Sequence, residues 1–165
     1  MKMLKFIAGY LKTQIETIIH KFRVLLNIVT LINKTNPPHK WKLYWRGIKH
    51  DFSKLGWYEA KHYAKVIFKL KHSTYGTEEY KKMLEHIQPA VQHHYKKNSH
   101  HPEHYENGFQ DMSELDRLEL ICDWESATHR HKNGNIYKSI EINQKRFGYD
   151  DKMKEWMISM AKILD

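Results

Sequence analysis

Apolar residues recur at three- and four-residue spacing along almost the whole chain, and no window alternates at period two for long. That periodicity calls for amphipathic helices and leaves no segment that would sit as a half-buried strand. Four prolines and seven glycines are too few for the dense turns of an all-β protein. The prediction is an all-α fold. At 165 residues the chain has the length of one domain, and no linker divides it.

Helix stop signals give about six or seven helices. The first stretch runs from about Leu4 to Ile32, with a bend near Thr17–His20, and Asn36-Pro37-Pro38 ends it. A second covers about Lys40 to His50, and a third runs from about Trp57 to His72, where Tyr75-Gly76 turns the chain. Thr77 can cap a fourth, reaching about Lys96. Residues 98–112, rich in His, Asn, Pro and Gly, are irregular. Ser113 and Asp116 then resemble a capping box for a fifth helix, which Lys132-Asn133-Gly134-Asn135 breaks. Helices over about Tyr137–Phe147 and Asp150–Leu164 complete the chain.

A single cysteine, Cys122, excludes an internal disulfide and fits a reducing, cytoplasmic setting. Charged residues interrupt the apolar N-terminal stretch before it reaches the ~18–20 residues of a membrane span. No secretory cleavage pattern follows it. Its amphipathic, basic character reads as a helix packed on its own domain. Contact with a membrane surface is the lesser alternative. The formal net charge of +9 favours polyanionic partners, but basic residues occur along the whole chain rather than in one tail.

Thirteen histidines are the unusual feature. Several face inward. His20 shares a stripe with Val24, Ile28 and Leu31, and His94 shares one with Leu84, Ile87 and Val91. Asp123 lies between Leu120 and Ala127 at helical spacing. Buried polar groups need a hydrogen bond or a metal. Each taken singly has an ordinary explanation: a bonded core histidine, a salt bridge from Asp123 to Arg130 or Arg117, a solvated His100-His101 loop. One shared site explains His20, His50, Asp51, His94, His100, His101 and Asp123 together. Imidazole and carboxylate suit divalent iron, manganese, zinc or nickel.

The order His, His-Asp, His, His-His, Asp resembles the HD-domain phosphohydrolase superfamily. His20-Lys21-Phe22-Arg23-Val24 is similar to its first motif. His50-Asp51-Phe52-Ser53-Lys54 is similar to the His-Asp-x-x-Lys segment of the HD-GYP branch. His100-His101-Pro102-Glu103 with Gly108 loosely resembles that branch's His-His-Glu…Gly stretch, and Asp123-Trp124-Glu125-Ser126-Ala127 its closing segment. The Gly-Tyr-Pro triplet is replaced by Gly108-Phe109-Gln110, which argues against cyclic di-guanylate as substrate. His93-His94 lies seven residues before His100-His101, so either pair could supply ligands. The chain also resembles an uncharacterised family of bacteria and phages.

The resemblance implies an HD-type helical bundle binding one to three divalent ions. Those ions would hydrolyse a phosphoester of a nucleotide or cyclic (oligo)nucleotide through metal-activated hydroxide. It implies that His50, Asp51, His20 and Asp123 hold one metal or share two, and that His94, His100 and His101 complete a second position. Asp51 would act in catalysis. Lys54, acting beside it, would grip substrate phosphate, with Arg46 and Arg130 as further phosphate contacts. Glu59 would orient a ligand histidine. The other reading of Lys54, Arg46, Arg130 and Glu59 is ordinary surface charge. His39, His62, His72, His129 and His131 read as solvated, while His86 and His104 are ambiguous. The aromatic run Trp41, Tyr44, Trp45, Trp57 and Tyr58 reads as core packing. The alternatives to an enzyme are a basic nucleic-acid-binding helical protein, not favoured because no DNA-reading pattern appears, and an inactive fold that binds nucleotides.

Overall fold

In the computed structural model, the N-terminal apolar-periodic stretch forms one uninterrupted helix, α1 (Lys2–Thr35), which passes through Thr17–His20 without a break. The structure describes residues 2–70, 77–130 and 133–165; the predicted Tyr75-Gly76 turn, His72 and His131 lie outside the described residues, as does the side chain of Leu84. Helix α1 ends where Asn36 takes a left-handed φ of 45° ahead of two prolines. It packs against α2 (Lys40–Lys49), α3 (Trp57–Leu70), α6 (Glu114–Thr128) and α8 (Asp151–Leu164). Gly9 permits the crossing with α3: a Cβ there would stand 2.3 Å from the Ala64 carbonyl oxygen.

The single helix predicted over about 77–96 is two helices, α4 (Glu78–His86) and α5 (Gln88–Lys97). Pro89 is the reason. Inside a continuous helix it would lack the amide hydrogen for the Glu85 carbonyl and its ring would clash there. In the first turn of α5 neither penalty applies. The described residues therefore hold eight α-helices rather than six or seven, with α7 (Ile136–Phe147) preceding α8. No strand occurs among them, and the fold is a single compact all-α domain.

Helix starts follow the capping chemistry. The Ser113 hydroxyl accepts from the Asp116 amide while the Asp116 carboxylate accepts from the Ser113 amide, closing the predicted capping box of α6. Asn135 and Asp150 cap α7 and α8 in the same sense. The core gathers Val24, Ile28, Leu31, Leu120, Ile140 and Met157. Helix α6 lies within it: Leu118 to Asp123 are all buried, so this helix has no solvent side at its middle. Among the described residues no helix is long and apolar enough to cross a membrane.

Candidate metal centre

The local fold around His50-Asp51 follows from the way α2 ends. His50 leaves the helix in an extended conformation (φ −47°, ψ 132°), and Asp51 takes a left-handed one (φ 53°) that aspartate tolerates better than most residues. The chain then enters a short 3-10 turn, Phe52–Leu55. Two successive side chains are thereby buried together, at 2% and 0% exposure, which a continuing helix would point about 100° apart. Helix α1 contributes His20, α5 contributes His94, the following loop contributes His100 and His101, and α6 contributes Asp123.

All seven predicted ligands converge, in two groups. Atoms of His20, His50 and Asp123 lie within 4.8 Å of one another, and so do atoms of Asp51, His94, His100 and His101. Asp51 stands between the groups. Its Oδ1 is 3.2 Å from His94 Nε2 and 3.6 Å from both His50 Nε2 and His100 Nε2; its Oδ2 is 3.8 Å from His20 Nε2. His20 Nε2 donates to Asp123 Oδ1 at 2.8 Å, and His94 Nε2 meets His101 Nε2 at 2.8 Å. The spacing of the two histidine pairs left open which residues face the centre. His94 does, and so do both His100 and His101, whereas the Nδ1 of His93 donates to Glu59 Oε1 at 2.7 Å.

The donor set fits a divalent cation. Asp51 Oδ1 and His100 Nε2 are buried yet have no hydrogen-bond partner among the described residues. Each such orphan costs about 1–3 kcal/mol unless something bonds to it. Both atoms point into one cluster of imidazole nitrogens and carboxylate oxygens, the ligand chemistry of iron, manganese, zinc and nickel. The one thiol, Cys122, is buried among the core residues with its pKa pushed up by that burial, and takes no part.

A layer of carboxylates behind the cluster sets the ring orientations. Glu59, fully buried on α3, stands 3.2 Å from His94 Nδ1, and Ser53 and Asn98 lie 3.2 and 3.0 Å from the same nitrogen. Glu119, which the sequence reading missed, accepts from His50 Nδ1 at 2.8 Å with the same oxygen that lies 3.1 Å from His100 Nδ1. Its other oxygen accepts from Arg46 Nε at 2.7 Å. The available signal was the series Asp116, Glu119, Asp123 at i, i+3 and i+7, one acidic face on an otherwise buried helix. His20 has no comparable support, since its Nδ1 has no hydrogen-bond partner among the described residues.

The predicted phosphate contacts are placed differently from one another. Lys54 Nζ forms an ion pair with Asp51 Oδ2 at 2.6 Å, so its ammonium stands at the centre. Arg46 instead turns its guanidinium inward to Asp116 at 2.6 Å and to Glu119, bracing the carboxylates rather than facing a ligand. Arg130 is exposed, and its charge helps keep His20 neutral. His39, His86, His104 and His129 are exposed and outside the cluster. Trp41, Trp45, Trp57 and Tyr58 are also exposed, which corrects the core-packing reading: α2 and α3 bury their opposite faces.

The electrostatics are those of a crowded acidic pocket. Burial opposes charge on His50, but Asp51, with Asp123 and Glu119, outweighs it and raises its pKa to about 10. Burial and the Arg130 charge lower His20 to about 3, and burial with His100 and His94 alongside holds His101 well below its ordinary value. Burial pushes against ionisation of Asp51 and Asp123, yet Lys54 and His50 around the first, and His20 and His50 around the second, hold both well below the usual range. His20 and His101 are thus neutral and Asp51 and Asp123 ionised, the states a cation requires, and His50 holds a proton that a cation would displace.

The chain matches the family of unknown function DUF5662 over residues 10–165. No curated protein and no solved structure matches it.

Proposed function

The chain belongs to the DUF5662 family, and we propose that it is an HD-type, metal-dependent phosphohydrolase that cleaves a phosphoester bond of a nucleotide or cyclic (oligo)nucleotide. One observation carries this reading. A buried aspartate, Asp51, stands between two histidine-rich groups with an oxygen that has no hydrogen-bond partner among the described residues. His20, His50 and Asp123 would hold one divalent ion, His94, His100 and His101 a second, and Asp51 would face both. Bound there, such ions acidify water from 15.7 towards about 7 and neutralise phosphoryl oxygens.

The chain's own residues do the positioning. Glu119 accepts the Nδ1 proton of His50 and lies 3.1 Å from His100 Nδ1, which would leave the Nε2 of both rings for the centre, while Ser53, Asn98 and Glu59 surround His94 Nδ1. Lys54 is the cation placed to take a phosphoryl oxygen once the charge of Asp51 is satisfied elsewhere. Arg130, exposed near His20, supplies a second positive group for the anion. The lone buried thiol accords with work in the cytoplasm. The test is protein loaded with manganese or iron and offered a panel of nucleotides and cyclic nucleotides. Phosphate or linear nucleotide is released by the native protein and not by Asp51→Asn. Stoichiometric metal without turnover on any member of the panel refutes the hydrolase reading while leaving the metal site standing.

A further inference from the structure

Helix α1 buries one face against the domain and leaves a second apolar face open. Leu4, Ile7, Leu11, Ile15, Ile18, Phe22 and Leu26 follow one another at intervals of three, four and four residues, repeated. With Met3 and Ile19 beside them, they are 42–73% exposed. Intervals averaging near 3.6 keep these residues on one side of a straight helix over about 33 Å. A second open series continues on α2 and the turn after it: Trp41, Trp45, Ile48 and Phe52, again at i, i+4, i+7 and i+11. Lys21 of α1 joins the two, donating to the Ile48 carbonyl oxygen at 3.3 Å and lying 5.8 Å from the Phe52 ring centre. Isolated exposed leucines need no explanation; a continuous row of this length does.

Charge identifies what covers it. Residues 1–50 contain ten Lys and Arg and a single acid, Glu16, whereas residues 51–165 contain eighteen of each sign. The entire formal excess of +9 therefore belongs to the part of the chain that carries the open apolar rows. Lys5, Lys12 and Arg23 share one edge of the α1 stripe by helical position, and Lys21 lies towards the other. A second copy would bring two such excesses together, and the stripe lacks the 3.5-residue repeat of the usual two-stranded coil. Exposed tryptophans and phenylalanines bordered by lysines, on a helix that cannot span, are the features of an element lying in the plane of a bilayer. We propose that the face formed by α1 and the exposed aromatics of α2 docks on an anionic lipid surface, with α1 parallel to the membrane.

The experiment is co-sedimentation of the full chain with vesicles of phosphatidylcholine alone or mixed with phosphatidylserine, at low and high salt. The protein partitions to the anionic vesicles, less to the neutral ones, and is released by salt. Leu11→Asp with Ile18→Asp weakens partition at least about tenfold. Lys5→Glu with Arg23→Glu abolishes the preference for phosphatidylserine. All four positions are on the surface, and an unchanged melting curve verifies each variant. Absence of partition by the intact protein at low salt overturns the proposal, as does partition that the folded variants leave undiminished. A concentration-dependent dimer that Leu11→Asp with Ile18→Asp converts to monomer also overturns it, because the face then belongs to a second copy.

Discussion

Replacing Glu119 by glutamine is the most informative single change at the candidate centre, because the substitution keeps shape and removes only charge and one acceptor. The carboxylate faces donors on both sides: His50 Nδ1 at 2.8 Å and His100 Nδ1 at 3.1 Å on one oxygen, Arg46 Nε at 2.7 Å on the other. An amide has one oxygen and one NH2, so whichever way it turns, a donor meets a donor. Turning the oxygen to the imidazoles is the cheaper choice, since Arg46 retains Asp116 at 2.6 Å. Even so, charge-assisted bonds become neutral ones of about half the strength. Losing one charged hydrogen bond of this kind costs about 1.5–3 kcal/mol, read as a lower melting temperature in chelator. The larger effect falls on the metal. Rings that are less firmly oriented and less basic bind a divalent ion about 10–100-fold more weakly, measured by manganese titration calorimetry. Manganese affinity that is the same in Glu119→Gln and native protein would show that Glu119 does not orient the ligand rings.

Asp51→Asn removes divalent metal from both groups, whereas His101→Ala removes it from one, and metal analysis of the purified variants distinguishes the two outcomes. Because Asp51, Asp123 and Glu119 raise His50 to about 10, manganese binding near neutral pH releases at least the His50 proton. Affinity therefore rises up to about tenfold per pH unit until the pH approaches that value; calorimetric heats that do not depend on the buffer's ionisation enthalpy would contradict this. In metal-free protein the raised His50 pKa contributes stability that is complete below its ordinary 6.5 and fades as pH rises towards about 10, which thermal melts in chelator will follow. Gly9→Val forces a side chain against the Ala64 carbonyl, 2.3 Å from the new Cβ, and costs about 1–3 kcal/mol by denaturant unfolding. Arg46→Ala strands Glu119 and Asp116, both almost fully buried, and costs about 3 kcal/mol by the same measurement.

The helical architecture was legible because α1, α2, α3, α7 and α8 each carry a 3.6-residue pattern and several helices, α6 among them, have an explicit stop or cap, such as Asn36-Pro37-Pro38 or Ser113 with Asp116. The division of α4 from α5 was missed because apolar spacing carries straight through Ile87, and only the position of Pro89 relative to the preceding turn reveals the restart. His20, His94 and Asp123 were legible because polar groups on apolar faces are conspicuous in a sequence, and His50, Asp51, His100 and His101 through the order of the motifs. Glu119 was not: it sits in a stretch buried on every side, Leu118 to Asp123, and only its spacing from Asp116 and Asp123 marks it. The aromatic run of α2 and α3 was misread for a related reason. Composition says that tryptophan is costly to expose, but not which side of a short helix finds a partner, and α2 covers only Leu43 and Gly47 completely.

Charge offers an independent constraint on how many ions the proposed centre requires. Five buried carboxylates, Asp51, Glu59, Asp116, Glu119 and Asp123, surround it. Against them stand Arg46, Lys54, the proton on His50, and Lys21, whose ammonium donates to the His50 carbonyl oxygen and interacts with Asp51 and Glu119; this leaves a formal excess of one negative charge. One divalent ion that displaces the His50 proton leaves the region formally neutral, and a phosphate ester approaching it gains no net attraction. A second ion makes it positive by two, so that an anionic substrate is attracted into a low-dielectric pocket where each unit of charge counts for far more than in water. The same protein with one ion is therefore a metal-binding protein poorly suited to phosphate, and with two it is electrostatically matched to it. Phosphate affinity measured against metal stoichiometry rises sharply only as the second equivalent is added; tight phosphate binding at one equivalent would break this link between the acidic pocket and phosphoester chemistry.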